Sequence, residues 1–182
     1  MRPSAGSHPC SRTSADGPRR ARIALAALAL TAAACSPELD WREVRSDEGA
    51  FVAVLPGKPS FEERELSDRP GVVMHLWSAR AGGALYGVGY ANVPEAGPAL
   101  VASTRDALAA NIAGRIVADR EIAVGRALGR EFKAEGAAAT LIARVLVADG
   151  KLYQVALIAG KESLDATGAD TFFTSFRVLP AR

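Results

Sequence analysis

Two residues carry side chains from which chemistry is readily made. Cys35 follows Ala32-Ala33-Ala34 and is the only cysteine after Cys10; its thiolate would be the strongest nucleophile in that part of the chain. His75 is the only histidine after His8, so any Ser-His-Asp relay or histidine metal site in the body of the protein must be built on it. It sits in Val73-Met74-His75-Leu76-Trp77, whose alternation puts His75 on one strand face with Val73 and Trp77. A lone histidine in that setting reads as a part-buried packing residue. No HExxH, CxxC or GxSxG pattern accompanies either residue. Gly87-Val88-Gly89 lacks the third glycine of a dinucleotide fingerprint, because position 92 is Asn. Arg130-Glu131 is the acid–base pair to inspect, with cross-strand ion pairing as its simpler role. Glu62, Glu63 and Glu65 lack the spacing of a cation loop and read as a solvated strand edge. No catalytic residue, metal or cofactor is therefore assigned.

The elements around Cys35 explain its position. Arg19, Arg20 and Arg22 precede a run of small and apolar residues from Ile23 to Ala34. Those residues would make about 18 Å of helix, short of the roughly 30 Å hydrocarbon core. A basic flank, a short apolar run and small residues before a cut are the layout of a signal peptide, here residues 1–34. Leu30-Thr31-Ala32-Ala33-Ala34-Cys35 resembles the lipobox of bacterial lipoproteins, with Ala32 where leucine is usual. The resemblance implies that Cys35 receives diacylglycerol and becomes the new amino terminus. Two or three acyl chains hold a protein firmly in a bilayer. Residues 35–40 would be a short acylated tether, and the expected place is the cell envelope, facing the periplasm. By resemblance to the enterobacterial sorting rule, Ser36 favours the outer membrane.

Processing changes the charge. The full chain of 182 residues is formally +2. Removing five arginines and Asp16 leaves 17 basic against 19 acidic side chains, a charge of −2. Such a balance gives no nucleic-acid footprint. With Cys35 alone remaining, no internal disulfide can form, and stability must come from an apolar core, for which about 150 residues suffice.

From residue 41 the pattern is of strands. Trp41 to Arg45 and Phe51 to Leu55 are predicted to pair, with Pro56-Gly57-Lys58-Pro59 forcing a corner. Phe61 to Leu66 follows as the charged edge strand. Val72 to Ala79 and Leu85 to Val93 form a hairpin across Arg80-Ala81-Gly82-Gly83. Tyr86, Val88 and Tyr90 share one of its faces; Gly87 and Gly89 leave the other flat, open to close approach by a helix or backbone. Residues 98–114 shift to helical spacing, with Pro98 at the start and Gly114 at the end. Strands return at Ile116 to Val124, Leu128 to Ala134, Thr140 to Val147 and Leu152 to Ala159. Asp149-Gly150 demands a type I′ turn that sets Leu146 opposite Tyr153. Thr167-Gly168-Ala169-Asp170 resembles a helix start, and Ala169, Phe172, Phe173 and Phe176 make a core stripe. The expected fold class is α+β, residues 41–182 forming one domain in which an antiparallel sheet is covered by one longer and one short helix.

Several segments carry a resemblance: Phe51-Val-Ala-Val-Leu-Pro-Gly-Lys-Pro59, Tyr86-Gly-Val-Gly-Tyr90, Gly129-Arg-Glu-Phe132, Leu152-Tyr-Gln-Val155 and Phe172-Phe-Thr-Ser-Phe176. Together they resemble a family of uncharacterised bacterial exported lipoproteins. The order of elements is remotely similar to the Mog1/PsbP-like α/β/α sandwich, which implies binding of protein partners and no catalysis. Three functions are compatible with the residues. The favoured one is a non-catalytic binding or assembly domain, not an enzyme, held at the membrane through acylated Cys35 and meeting an envelope protein. The second is a small-ligand carrier with a pocket between helix and sheet, lined by Trp77, Tyr86 and Tyr90. The third is a hydrolase centred on His75.

Overall fold

The computed structural model describes residues 39–66 and 69–180. Cys35, Ser36 and the leader lie outside these residues. Ten strands and two helices follow in chain order: β1 (Trp41–Ser46), β2 (Phe51–Pro56), β3 (Ser60–Leu66), β4 (Arg69–Ala81), β5 (Ala84–Asn92), α1 (Pro98–Ala110), β6 (Arg115–Val124), β7 (Ala127–Glu135), β8 (Ala139–Ala148), β9 (Lys151–Gly160), α2 (Ala166–Ser175) and β10 (Arg177–Val178). Seven strands form an antiparallel sheet in the order β3-β4-β5-β9-β8-β7-β6, and three form a separate sheet, β1-β2-β10.

This architecture corrects the α+β expectation. Among the described residues the chain is mostly β, with two sheets of seven and three strands and two short helices. The β1–β2 hairpin does not extend the large sheet but lies on its face. Phe51, Ala53 and Leu55 are fully buried and join Tyr86, Val88, Tyr90, Tyr153 and Leu157 in one core cluster. Strand periodicity shows that such a hairpin has an apolar side, but says nothing of which sheet that side covers.

The large sheet is thus packed on both faces. One face meets the small sheet and α2, whose Ala169, Phe172 and Phe173 complete the first cluster. The other meets α1, through Leu100, Val101 and Ala109 packed with Phe132, Leu141, Val145 and Leu152. Alternation divides the central strands between the two: on β9, Tyr153, Val155 and Leu157 face the small sheet, while Leu152 faces α1.

Local signals account for most boundaries. Asp149 and Gly150 take φ of 50° and 67°, and Leu146 stands opposite Tyr153 as that turn requires. Pro98 begins α1. The helix ends at Ala110, four residues before the predicted Gly114, and the left-handed residue is Ala113 at φ 47°: the amides of Ala113 and Gly114 donate to Ala110 O and Ala109 O, both at 2.9 Å. This is a Schellman motif with alanine in its left-handed position. α2 starts before the predicted Thr167, because the Asp165 carboxylate accepts from the amides of Thr167 and Gly168 at 3.0 and 2.9 Å. At Gly89 the flat face of β5 is met by β4 and not by a helix: the Cβ that Gly89 lacks would lie 2.6 Å from the His75 backbone carbonyl and 3.2 Å from both Leu76 Cδ1 and Met74 Sδ, the close approach of backbone that the glycine allows.

Candidate functional site

His75 lies near one margin of the large sheet, on β4, where the small sheet gives way to edge strand β3. The β3–β4 register places Phe61 opposite Trp77, Glu63 opposite His75 and Glu65 opposite Val73. All six side chains share the face turned toward the small sheet. Phe61 and Trp77 rings lie 4.7 Å apart at 45°, and His75 stacks on Tyr90 at 4.8 Å and 12°. Tyr90 stacks in turn with Trp77 at 6.4 Å, and Trp77 meets Phe51 of β2 edge-on at 5.5 Å. The rings therefore run from the buried centre of the small sheet out to the exposed edge, where Phe61 is 52% accessible.

Charge follows the same gradient. The His75 Nδ1 lies 3.2 Å from Glu63 Oε1, with Glu63 largely exposed and the imidazole largely covered. Beneath it, burial first and then the Glu48 carboxylate push the Tyr90 hydroxyl up to about 12. Glu65 Oε1 accepts from the Gly71 amide. The three glutamates of β3 consequently act separately: Glu63 on histidine, Glu65 on backbone, and Glu62 with Arg64 at 3.1 Å. Among the described residues no group of three His, Cys, Asp or Glu side chains is placed to hold a metal ion.

Of the residues expected to line a pocket, Trp77 and Tyr90 meet in this aromatic ladder. Tyr86 faces the same way but further along β5, edge-on to Trp41 and Phe172 at 6.2 and 5.3 Å. Tyr86 and Tyr90 are both core residues. Tyr86 also borders an open depression of about 340 Å³ between the Gly82 turn and the loop before α2, lined by Leu39, Glu162, Ser163, Leu164 and Asp165 as well. Burial, and then the nearby Asp165 carboxylate, raise the Tyr86 hydroxyl above its ordinary value. Neither Trp77 nor Tyr90 reaches that depression.

Arg130 and Glu131 do not act on each other. Being neighbours on β7, they point to opposite faces. Arg130 Nε donates to Asp119 at 2.7 Å, and Asp119 also binds Arg105 of α1. On the other face Glu131 accepts from Arg144 Nε at 2.7 Å and from Arg120, while Arg144 donates to Phe173 O at 2.6 Å and lies 5.0 Å over its ring. These are cross-strand and strand-to-helix ties.

Phe61, Glu63 and Glu48 are the site residues that sequence reasoning missed. Phe61 carried a signal, as the one aromatic in an otherwise charged edge strand. Glu48 carried none, since it comes from the β1–β2 turn and meets Tyr90 only because that hairpin folds over the large sheet.

No protein-family model matches the chain, and no curated protein matches it by sequence. Among solved structures, the solution structure of cyanobacterial PsbP (CyanoP) from Synechocystis sp. PCC 6803 superposes with a TM-score of 0.55 at 15% identity, over 76% of this chain and 92% of that one. The fold is PsbP-like. At this identity the likeness concerns the path of the backbone and not the side chains on it.

Proposed function

We propose that this protein is an envelope lipoprotein, anchored through acylated Cys35 and facing the periplasm, whose PsbP-like domain is a non-catalytic binding or assembly module for another envelope protein. Ser36 favours the outer membrane. The observation that supports the non-catalytic reading is that the His75 ring is stacked on Tyr90 within a packed ladder. A carboxylate on Nδ1, as Glu63 is here, is also how a triad orients its histidine, but a general base further needs Nε2 turned toward a nucleophile in a cleft, and among the described residues the polar contact of this ring is with Glu63. The exposed outer end of that ladder supports recognition at a surface. The anchoring rests on the lipobox resemblance of residues 30–35, and the membership in an exported lipoprotein family rests on the segments that carry it. Among the described residues no helix is long and apolar enough to cross a membrane.

Mass spectrometry of the protein from its own cells should find a diacylated Cys35 at the amino terminus, and Cys35→Ser should move the protein out of the membrane fraction. An intact Met1, or identical fractionation of the variant, would overturn the anchor. A measured turnover that His75→Ala abolished, with an unchanged thermal midpoint, would overturn the binding module.

A further inference from the structure

The outer ends of β3 and β4 are left uncovered by the small sheet. Phe61 is 52% and Val73 38% accessible, and β3 is exposed along nearly its whole length. Among the described residues it is the outermost strand of the sheet, so its outer backbone N–H and C=O groups have no strand partner there. From Phe61 to Glu65 and from Val73 to Trp77, the face carrying the rings holds two carboxylates, Glu63 and Glu65, and neither lysine nor arginine. Arg64, the one basic residue in that stretch of β3, alternates to the other face and is engaged by Glu62.

We infer that this ledge is a docking surface for an extended, arginine-bearing segment of a protein partner. The inference rests on the binding-module reading and gives it a place and a chemistry. Aromatic faces attract cations, and guanidinium in particular stacks on them while forking onto a carboxylate. Phe61 and Trp77 supply the faces at 4.7 Å from each other. Glu63 spends one oxygen on His75 and keeps the other for a new donor. Strand addition at β3 supplies main-chain hydrogen bonds and fixes alternate side chains of the incoming segment over the ledge. An acidic segment would be repelled by both glutamates. A wholly apolar one would desolvate them without compensation.

The full chain carrying Trp41→Phe, so that Trp77 is the only tryptophan left, is titrated with a short peptide alternating arginine and valine. The same peptide with citrulline for arginine is the control. Saturable change in Trp77 emission is expected, weakened about tenfold or more by citrulline, by Phe61→Ala and by Glu63→Gln. Phe61→Ala removes an exposed ring, and its thermal midpoint serves as the check on folding. Absence of binding, or affinity that survives both substitutions or the citrulline replacement, overturns the proposal. A photo-crosslinker at position 61 is then compared in intact cells with one at Val117 on β6, at the opposite edge. Capture of a protein from Val117 alone discards the ledge and leaves the binding module standing; capture from neither position counts against the module itself.

Discussion

At Gly129 the backbone of β8 leaves no room for a side chain on β7. A Cβ there would run into the Val145 carbonyl and the Leu146 Cα, backbone atoms that cannot turn aside. Gly129→Ala should therefore cost about 2 kcal/mol or more, visible as a lowered urea midpoint. Ala113 is the converse case. It holds φ 47° on an exposed helix end, a conformation that disfavours any side chain. Ala113→Gly should raise stability by about 0.5–1 kcal/mol in the same assay. What the sequence made legible at this scale was strictly local. Asp149-Gly150 dictated a register because two adjacent residues had to accept positive φ. The contact of Glu63 with His75 could not be foreseen, because Ser67 to Gly71 marks a turn without fixing the pairing, and the ladder shifts register between Glu65 and Leu66.

Among the elements, arginine does much of the joining. Arg144 ties β8 to Glu131 on β7 and to the Phe173 carbonyl of α2; Asp119 ties β6 to Arg130 on β7 and to Arg105 on α1. Burial works to raise the pKa of Asp119, but hydrogen bonds from Arg130 and Arg105 and their charges outweigh it and hold the carboxyl below its ordinary value. The same balance, with Arg144 and Arg120 as partners, lowers Glu131. A carboxylate depressed in the folded state contributes stability above its unfolded pKa and loses it as pH falls through the folded one. Acid unfolding should accordingly begin as pH drops below about 4, the unfolded carboxylate range. Arg144→Ala should shift that transition upward in pH and lower neutral stability by about 2 kcal/mol, since Glu131 loses its least exposed partner. Circular dichroism against pH reads both. Helix α2 was legible from its phenylalanine stripe, which has only one useful period. The small sheet was not: β10 is two residues long, and its pairing with β2 exists only because α2 returns the chain beside Phe51 and Val52.

Across the whole molecule, all three tyrosines are built into the core: Tyr86, Tyr90 and Tyr153. Tyr90 and Tyr153 are each pushed up to about 12, by burial foremost and then by the charges of Glu48 and Asp149 respectively. A group whose folded pKa is raised adds stability that is complete below the unfolded value, about 10, and disappears as pH climbs through the folded one. Tyrosinate absorbance should therefore stay flat near pH 10 and rise, together with loss of circular dichroism, between about 10 and 12. Gradual titration centred on 10 with the fold intact would contradict this packing. The sandwich that encloses these rings was the least legible part of the fold, because hydrophobic alternation identifies a buried face without saying whether helix or sheet buries it.

The order β3-β4-β5-β9-β8-β7-β6 joins two runs of neighbouring strands at one seam, where Ala84 of β5 meets Ala159 of β9. That seam runs through the middle of the large sheet and waits for almost the last strand to be made. Until then β5 and β8, the two strands that β9 will join, offer bare flanks to any passing chain. A ribosome stalled before residue 160, or a protease nick there, would release a fragment primed to clump, so this protein's time of greatest danger is its own birth.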